Sequence, residues 1–277
     1  MKQYGLLKLP DLLKKKMSRF QFARSYLGYF ARKLKSDPFL IANWRWIEET
    51  RILHDDLFEA LLLKTFVDRS DPVFLQIGAN TGTGRQDVYN CIKKTNIKTI
   101  LVEPQPDVFE QLKENYKNIY NVEVINVALG EKNEKRMMYR LSDEAKKYHN
   151  KVAGFGNCVA SFDRNHVVEC FLKNTTIEGG SMDCDKLLER LEVDCVTFDG
   201  LLERFGLSQV DVVMIDTEGF DYAILKMMFA SQCFPDVVKF EHAYLGSHKR
   251  DAWNLLYSLS YRMVLCENDT IAIKISS

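Results

Sequence analysis

A glycine-rich segment holds the first residues whose types and spacing suggest chemistry. Gly78-Ala79-Asn80-Thr81-Gly82 follows the apolar run Val73–Ile77, so it is expected at the carboxyl end of a buried strand. Such a turn lets a ligand approach the main chain and meet the N–H groups that begin the next helix. The segment lacks the Gly-Lys-Ser/Thr of a phosphate-binding loop and the Gly-x-Gly-x-x-Gly of a dinucleotide site. It therefore predicts either a ligand site of another kind or an ordinary tight turn.

Acidic residues follow other apolar runs at positions where a sheet would bring them together. Glu103 stands 25 residues after Gly78, where Rossmann-like folds place an acid that accepts hydrogen bonds from ribose hydroxyls. Asp216 and Glu218 follow the predicted strand Val210–Ile215. Because parallel strands end at one edge of a sheet, the glycine turn and these acids are expected to converge there.

Alternating strands and helices would position these residues. Strands are predicted over residues 73–77, 99–102, 122–127, 193–198, 210–215 and 237–240, with helical segments between them and a closing hairpin over 262–265 and 270–275. This alternation predicts a parallel sheet with right-handed crossovers. The polar stretch over residues 142–181 is too long for a simple loop, so we expect it to be functional or mobile.

The N-terminal segment differs from the rest of the chain in charge. The 277 residues carry 38 basic and 38 acidic side chains, but residues 1–40 hold ten basic and two acidic ones. Residues 11–66 are expected to be helical, with a break at Asp37-Pro38 and a second helix from about Ile41 to Val67. The basic helices over residues 11–35 could contact an anionic membrane surface or, as the favoured alternative, pack on a neighbouring domain or protein.

Charge and cysteine usage narrow the function classes and the compartment. A neutral chain with an acidic body offers no track for phosphates, so we predict that nucleic acid is not a partner. The seven cysteines are odd in number and show no C-x-x-C spacing, which argues against a disulfide framework. No apolar run is long enough for a membrane span. These features predict a soluble cytoplasmic protein whose oligomeric state is open.

Taken together, the motifs resemble the FkbM family of S-adenosylmethionine-dependent methyltransferases. They are Gly78-Ala79-Asn80-x-Gly82, Glu103-Pro104-x-Pro106, Asn126-x-Ala128-Leu129-Gly130, Thr197-Phe198-Asp199 and Ile215-Asp216-x-Glu218-Gly219. The resemblance implies a Rossmann-like class I methyltransferase fold, α/β in class, with a seven-stranded, mostly parallel sheet and helices on both faces. That domain would span residues 69–277, with an insertion or lid over about 142–190, after a basic helical extension over residues 1–68.

The resemblance also implies which residues bind S-adenosylmethionine. Gly78, Asn80 and Gly82 would cradle its methionine part, Glu103 would hold the ribose, Asn126 and Ala128 would flank the adenine, and Asp216 would lie near the sulfonium; Thr81 and Pro104 belong to the same segments. Gln76 stands where many members carry Asp; an amide can still bond the cofactor amino group but without charge assistance. An arginine at Gly82 would, on this interpretation, fill the cofactor cleft.

An oxygen acceptor must lose a proton during methyl transfer, so the chain needs a general base. Asp216, Glu218 and His242 are the candidates, and alternatives remain for two of them: Asp216 as a cofactor-positioning residue and His242 as a hydrogen-bonded, partly buried histidine. Asp216, Glu218 and Glu241 could also hold Mg²⁺, but no metal site is predicted. Acceptor contacts are expected from the insertion, at His149, Phe155, Phe162 and His166.

The preferred prediction is therefore an O-methyltransferase that acts on a hydroxyl of a sugar, glycan or secondary metabolite. The alternative is a non-catalytic cofactor-binding or scaffold module that docks on a membrane or glycan-assembly complex through its basic N-terminal helices. A nucleic-acid methyltransferase is less favoured, because Asp216-Thr217-Glu218-Gly219 differs from the Asn/Asp-Pro-Pro-aromatic motif of base N-methylation.

Overall fold

A computed structural model describes residues 39–42, 54–83, 88–95, 97–148, 159–174, 186–266 and 268–275 of the chain. The basic segment over residues 11–35 lies outside the described residues, so its helices and its membrane or protein contacts stay predictions. His149 and Phe155, expected to contact the acceptor, lie outside them too.

The described part contains twelve strands and eight helices. The strands are β1 (Phe39–Ala42), β2 (Val73–Ile77), β3 (Lys98–Val102), β4 (Val122–Ile125), β5 (Ala128–Leu129), β6 (Glu134–Leu141), β7 (Ala160–Ser161), β8 (Leu188–Val196), β9 (Val212–Ile215), β10 (Val237–Glu241), β11 (Tyr261–Cys266) and β12 (Asp269–Lys274). The helices are α1 (His54–Asp68), α2 (Val88–Lys94), α3 (Pro106–Tyr116), α4 (Asp143–Tyr148), α5 (Arg164–Asn174), α6 (Phe198–Arg204), α7 (Asp221–Ala230) and α8 (His248–Ser258). None of these described helices has the length and apolar character needed to cross a membrane.

The main sheet has the strand order β1-β11-β12-β10-β9-β2-β3-β4. Its strands run parallel except β12, which is antiparallel to both of its neighbours. The predicted seven-stranded, mostly parallel sheet is confirmed in β2–β4 and β9–β12. The predicted closing hairpin is the antiparallel pair β11 and β12.

Strand β1 adds an eighth strand that the sequence interpretation did not include. Its four residues, Phe-Leu-Ile-Ala, pair in parallel with β11, from Phe39 opposite Met263 to Ala42 opposite Cys266. The prediction that a helix starts near Ile41 is wrong at this point. Aromatic and β-branched residues favour a strand, and Pro38 separates them from the helical pattern before them.

A second sheet, ordered β5-β8-β6-β7, interrupts the alternation of strands and helices. Its centre is the antiparallel ladder of β6 and β8, from Glu134 opposite Cys195 to Leu141 opposite Leu188. The prediction that residues 193–198 continue the parallel sheet is therefore wrong. The sequence indicates this difference, because apolar Leu191, Val193 and Cys195 alternate with acidic residues. Such alternation is typical of a strand with one face exposed to solvent, whereas β9 is buried throughout.

Helices cover both faces of the main sheet, as predicted. Buried residues of α1, α2 and α3 pack on one face, against Phe74, Leu101 and Met214. Buried residues of α6, α7 and α8 pack on the other face, against Leu75 and Ile215. Because this sandwich fixes the strands, the carboxyl ends of β2, β3, β9 and β10 meet along one edge, which the second sheet adjoins.

Candidate functional site

The glycine turn after β2 is locked to its neighbours by the main chain. The N–H groups of Gly78 and Ala79 both donate to the Val102 carbonyl at 2.9 Å. Gly78 has φ +79°, and a Cβ there would lie 1.8 Å from the Asp216 carbonyl oxygen. Only glycine satisfies both constraints, so this residue brings the ends of β2 and β9 into direct contact and leaves the turn's main chain bare.

Helix α3 holds the second half of the turn. The Asn115 amide donates to the Thr81 carbonyl at 2.9 Å, and the Tyr116 hydroxyl donates to the Gly82 carbonyl at 2.9 Å. Burial raises the pKa of Tyr116, which keeps the hydroxyl protonated as a donor. A Cβ at Gly82 would lie 2.3 Å from the Tyr116 ring and 2.6 Å from Leu112. A side chain at Gly82 therefore collides with α3, and an arginine there would disrupt packing rather than simply fill the cleft.

Glu103 links the ends of β2 and β3. Its carboxylate accepts from the Asn80 N–H at 2.8 Å and from the Gln105 N–H at 2.9 Å. The side chain is only 3% exposed. Burial raises the pKa of Glu103 to about 7, although the two main-chain hydrogen bonds oppose that shift. The predicted glycine turn and the predicted ribose acid are thus in direct contact, and Asn80 itself has φ +51°.

Asn126 supports Glu103 from the main-chain side. Its amide donates to the carbonyls of Glu103 and Pro104 at 2.8 and 3.0 Å, so it fixes the turn in which the acid sits. Ala128 lies in β5 and is buried in a small cluster with Met138 and other apolar residues. Roles for Asn126 and Ala128 beside the adenine stay predictions.

Gln76 is a buried polar side chain without a protein partner in the described part of the chain. It is 7% exposed, lies on β2 opposite Leu101 and Met214, and its amide has no hydrogen bond within the described residues. A buried amide left unpaired costs about 1–3 kcal/mol, and such groups in native proteins usually serve a ligand or water. Gln76 is therefore available to a polar ligand group at the end of β2.

Three carboxylates meet at the ends of β9 and β10. One oxygen from each of Asp216, Glu218 and Glu241 lies within 4.8 Å of the others. Desolvation and then the like charges of its neighbours raise the pKa of Asp216 and raise that of Glu241 to about 10. Asp216 is nevertheless open to solvent, so it lies in a recess rather than in the core. At neutral pH this acid cluster, Asp216, Glu218 and Glu241, holds at least one proton among its members.

The loop that carries two of these acids is held in an uncommon conformation. Glu218 has φ +51° and Gly219 has φ +96°. Buried Asp221 fixes the loop: it accepts from the Thr217 hydroxyl at 2.8 Å and from the Glu241 N–H at 3.2 Å. Burial raises the pKa of Asp221 to about 6, and these bonds limit the shift. A left-handed non-glycine residue costs free energy that the surrounding contacts must offset.

The insertion supplies a histidine to the acid cluster. The His166 Nε2 atom lies 3.1 Å from a Glu218 oxygen and 3.4 Å from the Cys170 sulfur, and the ring packs edge-on against Tyr244. Burial lowers the pKa of His166, but the bonds to Cys170 and Glu218 outweigh it and raise the pKa to about 10. His166 was predicted as an acceptor contact; its pairing with Glu218 was not foreseen.

His242 is placed differently from the other two proposed bases. Its ring is buried, its Nδ1 lies 2.9 Å from the Thr270 hydroxyl, and it packs edge-on against Trp253. The structure brings Asp216, Glu218 and Glu241 together but does not bring His242 into that group. This placement matches the alternative of a hydrogen-bonded, buried histidine; a catalytic role stays a prediction.

A cavity of about 410 Å³ lies between the insertion and the loop after β9. Its walls come from β6, β7, α5 and the 218–220 segment, with aromatic and charged side chains: Arg136, Tyr139, Phe162, Asp163, Arg164, His166, Glu218, Phe220 and Tyr244. The size is typical of small-molecule sites. Because Glu218 belongs to both, the acid cluster adjoins this cavity, hereafter the insertion pocket. Phe162 and His166, predicted as acceptor contacts, line it.

Replacement of Glu241 by glutamine is expected to stabilise the protein, by an amount that grows with pH. The folded pKa of about 10 exceeds that of an unfolded glutamate, so the folded state holds the extra proton between those values. Wild-type stability then falls as the pH rises through that window, by at most about 1.4 kcal/mol per pH unit, and glutamine removes the loss. Melting temperatures from about pH 5 to about pH 9 measure it. The control is Glu110→Gln, at an exposed position. If the melting temperatures of Glu241→Gln and wild type differed by the same amount at every pH, the prediction would be contradicted.

Comparison with known proteins gives one family match. The model of the methyltransferase FkbM domain matches residues 76–263, which is more than half of the chain. The comparison with curated proteins finds no match.

Solved methyltransferase structures are similar to this chain at low identity. The precorrin-6y C5,15-methyltransferase of Geobacter metallireducens is 12% identical with a TM-score of 0.42, over 81% of this chain and 91% of that one. The FkbM methyltransferase of Methylobacillus flagellatus is 13% identical with a TM-score of 0.41, over 93% and 58%. The Podospora anserina methyltransferase PaMTH1, bound to S-adenosylhomocysteine, is 10% identical with a TM-score of 0.38, over 99% and 100%. The family assignment rests on the FkbM domain match and not on these distant similarities.

Proposed function

Because the chain belongs to the FkbM family of methyltransferases, we propose that it transfers the methyl group of S-adenosylmethionine to a hydroxyl of a sugar, glycan or secondary metabolite. The observation that supports a hydroxyl as the methyl acceptor is the acid cluster beside the glycine turn. A hydroxyl must lose its proton as it attacks carbon, and a carboxylate with a raised pKa is a stronger base. Burial and the neighbouring acids raise the pKa of Asp216 well above its usual value.

The residues along the edge of the main sheet fit the cofactor. The buried Gln76 amide lacks a partner in the described part of the chain, and Glu103 offers a carboxylate fixed by two N–H groups. Gln76, Asn80, Thr81, Glu103 and Pro104 would hold it. When bound, the cofactor supplies a methyl group on a positively charged sulfur.

Asp216 is the group that we assign to proton removal. Its main-chain carbonyl touches Gly78 and its side chain is open to solvent, so it has access to both the cofactor and the acceptor. Glu218 is engaged with His166. Glu241, with its pKa near 10, keeps its proton at neutral pH and can donate a hydrogen bond within the cluster.

The loop contacts give this base a fixed position. Asp221 ties Thr217 to the end of β10, and the Ser161 hydroxyl donates to the Glu218 carbonyl at 2.9 Å. A base held in place on both sides loses little orientational freedom when the acceptor arrives, which favours transfer in the bound state. The insertion pocket would hold the acceptor beside it.

The test is methyl transfer from labelled S-adenosylmethionine to a panel of sugars, sugar acids and phenols. A hydroxyl product is a methyl ether, which survives mild alkali, whereas a methyl ester on a carboxylate is hydrolysed and releases labelled methanol. We expect alkali-stable label, and we expect activity to persist with EDTA because the base is a side chain. Alkali-labile label alone would overturn the hydroxyl assignment. Cofactor binding without transfer to any acceptor would favour the non-catalytic module instead.

A further inference from the structure

We propose that the acceptor carries an anionic group, a carboxylate or a phosphate, and that Arg136 in the insertion pocket binds it. The inference rests on the proposed function for the identity of this pocket as the acceptor site. It adds a specificity-determining residue and a chemical class of acceptor.

Arg136 is held by stacking and not by an acid. Its guanidinium lies 4.0 Å from the centroid of the Phe162 ring and 5.4 Å from that of Phe220, and the two rings pack edge to face at 5.5 Å. Within the described residues it has no ion pair and no hydrogen bond. Stacking covers the flat faces of a guanidinium but leaves its in-plane N–H donors for a carboxylate or phosphate.

The other basic residues near Arg136 on β6 are paired with acids. Arg140, four residues on, forms ion pairs with Asp107 and Glu189. Lys135, the preceding residue, pairs with Glu192 across the ladder at 3.1 Å. Among the described residues, the strand therefore pairs the basic side chains on both sides of Arg136 with acids and leaves Arg136 facing the pocket without one.

The acids that line the pocket are engaged elsewhere. A carboxylate oxygen of Asp163 accepts from the Asn165 N–H at 2.9 Å at the start of α5. Glu218 lies 3.1 Å from the His166 ring nitrogen. An anionic acceptor group thus meets Arg136 without displacing an ion pair of the described residues. A partly desolvated, bidentate guanidinium contact is among the stronger polar interactions available to a protein.

Two residues that line the pocket define the acceptor. Arg136 would hold the anion, and Glu218, a member of the acid cluster, lines the same pocket. The acceptor would therefore carry its anionic group apart from the hydroxyl that is methylated, as a uronic acid or a sugar phosphate does. The carboxylate or phosphate anchors the molecule, and the hydroxyl faces the proposed base.

Calorimetry on the full chain saturated with S-adenosylhomocysteine tests this binding mode. D-Glucuronate and D-glucose 6-phosphate are the anionic probes, and D-glucose is the neutral probe of the same ring. We expect the anionic sugars to bind at least about tenfold more tightly than glucose, because hydrogen bonds to charged groups strengthen binding by at least that factor. The preferred anion shows whether a carboxylate or a phosphate is the better fit.

Variants assign the preference to the residue. Arg136→Met should remove the advantage of the anionic sugars and leave glucose unchanged, and Arg136→Lys, which keeps the charge but not the fork, should retain part of it. Lys135→Met removes the same charge from the neighbouring surface position and should change nothing. Melting curves confirm that each variant is folded. If Arg136→Met does not fold, Arg136→Lys alone tests the role of Arg136.

Three results would overturn the proposal: no preference for the anionic sugars in the wild type, an equal loss in Lys135→Met, or no binding of either anion at its highest soluble concentration. Failure to bind S-adenosylhomocysteine is a different result, because it would contradict the proposed function itself. Retained cofactor binding with any of the three would leave the methyltransferase assignment standing and remove only the anionic acceptor.

Discussion

Replacing Glu103 with alanine is expected to weaken binding of S-adenosylhomocysteine by about a hundredfold or more. Two hydrogen bonds from ribose hydroxyls to a carboxylate are worth about 1.5–3 kcal/mol each, and their loss alone gives a factor of this size. The substitution also leaves the Asn80 and Gln105 N–H groups without their acceptors. The turn that the cofactor needs would then lose its fixed shape.

Calorimetric titration measures this effect, with Glu110→Ala as the matched control. Glu110 is exposed on α3 and, among the described residues, pairs with Lys113 at the surface, so its removal should leave cofactor affinity unchanged. An affinity of Glu103→Ala within twofold of wild type would show that the ribose lies elsewhere.

The same carboxylate predicts a pH dependence of cofactor affinity. Its pKa is raised by burial to about 7, and only the ionised form presents both oxygens as acceptors. Wild-type affinity should therefore increase from about pH 6 to about pH 8 and then level off. The Glu103→Ala variant should lack this rise. A flat wild-type profile would mean that the carboxylate is ionised throughout.

Replacing Asp216 with asparagine is expected to lower kcat by about 10²- to 10⁴-fold, the usual contribution of a general base. Asparagine has nearly the same shape, so the contact between the residue 216 carbonyl and Gly78 should persist, but an amide cannot accept the acceptor's proton. Affinity for S-adenosylhomocysteine should stay within a few-fold of wild type.

Single-turnover transfer of labelled methyl, with an acceptor found in the panel, separates these effects. Asp251→Asn is the control, because Asp251 is an exposed acid on α8 beside His248. A loss of cofactor affinity that matches the loss of rate would assign Asp216 to cofactor positioning. An unchanged kcat would mean that the general base is Glu218 or a group outside the cluster.

Local patterns were sufficient to predict the main sheet and the meeting of the glycine turn with Glu103 at its edge. Buried runs such as Val73–Ile77 and Val212–Ile215 indicate parallel strands, and the turn residues after them must lie at one edge whatever the rest of the chain does. The contact between Asn80 and Glu103 is a consequence of that geometry. Strand β8 was misassigned although its alternation of apolar and acidic residues marks a half-exposed strand.

Contacts that depend on how separate elements pack had no local signal. Asn115 and Tyr116 hold the glycine turn from the end of α3, and nothing in their spacing says which carbonyl they meet. The pair of His166 and Glu218 joins residues 52 positions apart, so it depends on where the insertion folds back. Tertiary packing decides such contacts, and the periodicity of the sequence does not encode them.

The placement of His242 was open to a better prediction. Glu241 ends β10, and successive side chains along a strand point to opposite faces. If Glu241 joins the acid cluster, its next neighbour points away from it, toward Trp253 and Thr270. Once Glu241 is placed in the acid cluster, alternation at the strand end is enough to separate these two residues.

The central position of β2 also determines when the site can exist. On one side β2 pairs with β3, only about 25 residues later in the chain, but on the other it pairs with β9, and the Val73 N–H reaches Asp211 across 138 residues. Closing so long a loop carries an entropic cost that delays non-local pairing during folding. On the ribosome, a nascent chain can therefore bring β2 and β3, with Glu103, together early. The contact between Gly78 and Asp216 forms only after the second sheet and β9 have been synthesised, so binding at the proposed cofactor site would report a completed fold.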